Sequence, residues 1–159
     1  MKAASLSEIR KQLTTLDSPA LEQLCLALAR YKKENKELLT YLLFEANDEQ
    51  GYINEIKQDV DGLFESLPKG NVYFIKKGVR KVLRFINKHI RYSGSPTTEL
   101  EVRIYFCLRM KSAGIPLDRS TVLYNLYQQQ LKKIQAVLAK LPEDLHFDYE
   151  KDLRTLIEK

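Results

Sequence analysis

Lys76, Lys77, Arg80, Lys81, Arg84, Lys88 and Arg91 recur at steps of one, three and four residues, so a single helix brings them to a common face. Lysine offers a compact cation and arginine a planar fork of donors, and a row of both suits carboxylate or phosphate oxygens. Arg80 and Arg84 have the geometry to hold such a group in bidentate fashion. The charge is local. Between Glu65 and Glu99 the chain has eight Lys or Arg and no acidic residue, whereas the remainder carries 18 basic against 21 acidic side chains. The net charge of +5 therefore arises from one stretch, and a concentrated field of this kind selects an anionic partner.

The residues that perform covalent or metal chemistry are sparse. His89 lies on the margin of the basic stretch, and His146 stands in Leu145-His146-Phe147-Asp148. His146 and Asp148, two residues apart, do not face each other on a helix. No H-E-x-x-H, C-x-x-C or glycine-rich phosphate loop occurs, so neither metal nor cofactor is expected. Asp59 and Asp61 could be imagined as acid–base groups, but helical surface charge explains them better. Cys25 and Cys107 each sit between apolar neighbours and are expected as buried thiols rather than a disulfide or a nucleophile. An enzyme would have to assemble its site from distant helices, and the expectation is a non-catalytic protein.

Helices must position the basic face. Over residues 72–92, placed at about 100° per residue, Val72, Ile75, Val79, Val82, Leu83, Ile86 and Ile90 fall within an arc of roughly 100°. The seven cations fall within roughly 140° on the other side. The helix is thus expected to dock through its apolar stripe with the charge outward. Like charges at i and i+4, as in Lys76, Arg80, Arg84 and Lys88, cost a few tenths of a kcal/mol per pair. Mid-helix Gly78 costs about 1 kcal/mol relative to alanine, which close packing on another helix would explain.

The 3.6-residue period dominates elsewhere, with no convincing strand run bounded by hairpin turns. Ser5 with Glu8 forms a capping-box pattern for a first helix with Leu6, Ile9, Leu13 and Leu16 inward. Ser18-Pro19 opens a second with Leu21, Leu24, Cys25, Leu28 and Ala29 on its stripe. The polar break Lys32–Lys36 precedes a third carrying Leu38, Leu39, Leu42 and Leu43, and a fourth spans about 48–67. Ser95-Pro96 starts the sixth, Gly114-Ile115-Pro116 stops it, the seventh covers about 117–141, and a short eighth about 149–157. In the seventh, Tyr124, Tyr127, Leu131, Ile134, Leu138 and Leu141 form a seam of the kind that packs within a bundle. The expected fold is all-α: one domain over residues 1–159, a bundle or short α-α superhelix of seven to eight helices.

No apolar run approaches the roughly 20 residues that span a bilayer, and the N-terminus lacks the apolar core of a secretory signal. The expected place is the cytoplasm. The expected function is a helical binding or scaffold module whose cationic face meets an anionic macromolecule, foremost an acidic protein surface. Sequence-independent nucleic-acid binding is the alternative, with Tyr73 and Tyr92 flanking the face as stacking rings. The counter-charge has an internal candidate too: Asp48, Glu55 and Asp59 share a flank of the fourth helix, within reach of a neighbour's lysines.

Overall fold

The computed structural model describes residues 1–157, which form eight α-helices and no strand. The chain separates into two compact units, Met1–Phe44 and the segment from Glu45 onward.

The first unit holds α1 (Leu6–Leu13), α2 (Ser18–Tyr31) and α3 (Lys33–Thr40), and a π-helical turn, Tyr41–Glu45, follows α3. The capping box opens α1 as expected, with Glu8 N donating to Ser5 Oγ and Ser5 N donating to Glu8 Oε2 at 2.7 Å. At α2 the cap is Asp17, whose carboxylate accepts from Ala20 N at 2.9 Å, and not Ser18. A carboxylate bonds the free N–H groups and meets the positive helix end more strongly than a hydroxyl does. The expected polar break shrinks to the single extended residue Lys32, since α3 begins at Lys33 and packs along α2.

The stripes of this unit are amphipathic, but they are not buried. Leu6, Ile9, Leu13, Leu16, Leu24, Leu28, Leu38, Leu42 and Leu43 are all exposed, and so is the Cys25 thiol. A unit of this size has too little volume to enclose both sides of its own helices.

The second unit contains α4 (Glu49–Glu65), α5 (Val72–Ser93), α6 (Pro96–Ser112), α7 (Thr121–Leu138) and α8 (Glu143–Ile157). Helix α6 lies at the centre and packs against α4, α5, α7 and α8. Its sequence suits that place, because Leu100, Val102, Ile104, Phe106, Cys107 and Met110 point to several sides and are all buried. The surrounding helices each bury one stripe: Ile53, Ile56, Val60 and Phe64 from α4; Val79, Val82, Ile86 and Ile90 from α5. The buried line of α7 differs from the expected seam. It runs through Leu123, Leu126, Tyr127, Gln130, Ile134 and Val137, while Tyr124 faces solvent. Helix α8 starts six residues earlier than expected, directly after Pro142, and so includes His146.

Candidate anion-binding face

Helix α5 is built as its pattern demands. Asn71 caps its start by accepting from Tyr73 N at 2.9 Å. Gly94, at φ 62°, supplies the left-handed residue that ends it. The four buried residues Val79, Val82, Ile86 and Ile90 hold one side on the core. That anchoring turns Lys77, Arg80, Lys81, Arg84 and Arg91 into solvent, with Lys76 and Lys88 half-buried at the margins.

The acids of α4 do not neutralise this row. Asp48 is spent on its own helix, accepting from Gly51 N at 2.9 Å. Glu49 accepts from Thr98 Oγ1 at 2.8 Å, and Asp61 accepts from Tyr105 Oη and lies 2.7 Å from Arg109 Nε. Both Thr98 and Tyr105 belong to α6. Glu55 and Asp59 are exposed. Glu101 meets Lys57 at 2.7 Å, and Glu99 meets Arg103 at 2.8 Å. Among the described residues, Lys76, Lys77, Arg80, Lys81, Arg84 and Arg91 form no ion pair, whereas Lys88 is engaged within the fold. The physical reason is directional. Carboxylates of α4 that turn inward reach α6, while the charged arc of α5 points away from the core that α4 and α6 share.

The two flanking tyrosines differ. Tyr73 is 63% exposed and stands edge-on to Phe74, with ring centroids 5.3 Å apart. Tyr92 is half-buried against His89, at 5.6 Å, within a cluster that includes Phe85 and Tyr52. Of these two tyrosines, Tyr73 presents the open ring.

Beside the face lies a groove of about 270 Å³ between the end of α4 and the first half of α5. Leu63, Leu67, Pro68 and Phe74 give it apolar lining, and Lys77, Lys81 and Arg84 line it too. Gly78 is the close-approach point. A Cβ there would overlap Leu67 Cδ2, so the absence of a side chain lets Leu67 lie against α5.

The groups considered for catalysis are held by ordinary contacts. His89 Nδ1 is 2.8 Å from the Tyr52 hydroxyl, and His146 Nε2 is 3.0 Å from the Leu141 carbonyl. Burial pushes the Cys107 thiol up to about 12, which leaves it protonated at neutral pH. Asp61 serves Tyr105 and Arg109. Burial, reinforced by the Asp61 carboxylate, raises the Tyr105 phenol to about 12. Among the described residues no group of three or more His, Cys, Asp or Glu is placed to hold a metal ion, and no helix is long and apolar enough to cross a membrane.

Sequence reasoning overlooked one polar cluster. Arg103, 4% exposed at the middle of α6, donates to Glu99 Oε1 at 2.8 Å, Asn87 Oδ1 at 3.1 Å and Gln130 Oε1 at 2.8 Å. It joins α5, α6 and α7. The signal was present, because Arg103 interrupts an apolar run between Val102 and Ile104.

The fold and the face together define an all-helical protein in which the α5 cations other than Lys88 make no ion pair among the described residues. No protein-family model, no curated protein and no solved structure matches the chain.

Proposed function

We propose that this protein is a non-catalytic helical binding module that presents the solvent face of α5 to an acidic protein surface. One observation carries the reading: among the described residues, Lys77, Arg80, Lys81, Arg84 and Arg91 stand in solvent without an ion pair, although an acid-rich helix is their immediate neighbour. A row of like charges that repel one another along one helix becomes favourable when a partner supplies the missing anions. Arg80 and Arg84 grip carboxylates in bidentate fashion, and the lysines add field without fixed geometry. The free thiols Cys25 and Cys107 fit a reducing compartment, so the cytoplasm is the proposed place of action.

Fluorescence anisotropy with labelled polyglutamate and with generic duplex DNA tests this reading. Polyglutamate is expected to bind at about 50 mM salt, to weaken as salt rises, and to be released by Arg80→Glu with Arg84→Glu. Absence of binding, or binding that survives the double reversal, refutes it. The second reading, sequence-independent nucleic-acid binding, draws on the open Tyr73 ring at the end of the face. Tighter capture of DNA than of polyglutamate would establish that reading instead.

A further inference from the structure

The groove adjoining the cationic face narrows the chemistry of the partner. Its lining brings apolar side chains from the end of α4 and from α5 together with cations of α5. Leu63 and Leu67 are half-buried, while Phe74 is 49% exposed directly beside Lys77. An aromatic ring left half in water next to a charged row is an unfilled apolar surface. The volume of about 270 Å³ is small for a cofactor or metabolite site, which takes roughly 300–1,000 Å³, and suits a single large side chain. Two features make the groove a built one. Gly78 lets Leu67 seat against α5, and the Phe74 ring meets Tyr73 edge-on.

We infer that this groove receives one bulky apolar side chain of an acidic segment in the partner protein, anchored between Leu63, Leu67 and Phe74 while flanking carboxylates reach Lys77, Lys81 and Arg84. The inference rests on the proposed function and refines it. A ribose-phosphate backbone has nothing to place against the leucine and proline wall. A purely polar acidic chain would use the cations and leave the wall wet. An acidic segment with an apolar anchor satisfies both kinds of lining at once, and that charge and apolar complementarity is the reason for choosing it.

The test uses the full chain and short labelled polyglutamate peptides in which one central residue is varied. Peptides with central Phe or Leu are expected to bind about tenfold tighter than the one with central Ala. Phe74→Ala should abolish that preference and leave the salt-sensitive binding of the Ala peptide unchanged. Its fold is checked by circular dichroism. Equal affinity for Phe, Leu and Ala peptides overturns the groove inference, even where Arg80→Glu with Arg84→Glu still releases them all and the charge reading stands. A Phe preference that survives Phe74→Ala also overturns it, since the anchor then lies elsewhere. Failure of every peptide to bind overturns the inference together with the function it rests on.

Discussion

Arg103 donates from Nε to Glu99 and from Nη1 to Asn87 and Gln130, so its charge is shared among three acceptors on three helices. Gln130 is 1% exposed and has no water to turn to when that donor is removed. Arg103→Ala is therefore expected to cost about 3 kcal/mol in urea unfolding, because it strands buried acceptors as well as opening a cavity. Arg103→Met combined with Gln130→Leu should recover much of the loss, since the two apolar groups fill the space without unmet polar atoms. A double variant as unstable as Arg103→Ala would place the cost elsewhere. Gly78 acts at the same scale but through shape. Gly78→Ala must turn the terminal methyl of half-buried Leu67 aside, a small cost for the far end of a flexible side chain, while alanine gains about 1 kcal/mol of helix propensity, so a slightly raised thermal midpoint is expected in a melting curve.

Helix α5 carries its repulsion as an element property. Arg84 stands four residues after Arg80 and three after Lys81, all three exposed and without an ion pair among the described residues. Arg84→Glu turns its like-charge spacings to Arg80, Lys81 and Lys88 into opposite-charge ones, so it should raise stability by about 0.5 kcal/mol while weakening polyglutamate binding. A gain in chemical-denaturation stability paired with a loss of binding is the signature of a face kept cationic for a partner. Lower stability in this variant would mean that the arginine is already compensated within the chain.

The second unit as a whole responds to alkaline pH through groups that the core keeps neutral. Burial raises Tyr105, Cys107 and Tyr127 each to about 12. In the unfolded chain they ionise near their ordinary values, about 10 for tyrosine and 8.5 for cysteine. Between those values and 12 the native state binds more protons than the unfolded state, so stability falls as pH rises through this window. Thermal midpoints should hold level up to about pH 8 and drop steeply above about pH 10. Cys107→Ala should make the onset of the decline less steep between about pH 9 and 10. An unchanged midpoint up to about pH 11 would contradict the burial of these groups.

Much of this was legible in the residues. The start and end of α5, its docked and solvent faces, the Ser95-Pro96 opening of α6 and the Gly114 stop follow from spacing and capping chemistry that act within a few residues. The stripe of the basic helix did not depend on which neighbour would cover it. The leucines of α1, α2 and α3 read equally well as an inward face, yet they are exposed. An amphipathic pattern states that a face is apolar, not that the chain has enough mass beside it to cover it. Cys25 and Cys107 have similar apolar neighbours in sequence and opposite exposure for the same reason.

The sequence by itself determined the helices, their local caps and the segregation of positive charge onto one side of α5, because each depends on interactions between residues three or four apart. Only the tertiary structure decided where the acids of α4 would go. Asp61 and Glu49 turned to Tyr105 and Thr98 of α6, and Arg103 found Asn87 and Gln130, through contacts that no periodicity encodes. The pairing of charges between helices depends on which faces the core brings together, and the shared burial of α4 and α5 against α6 left the cations of α5 facing water.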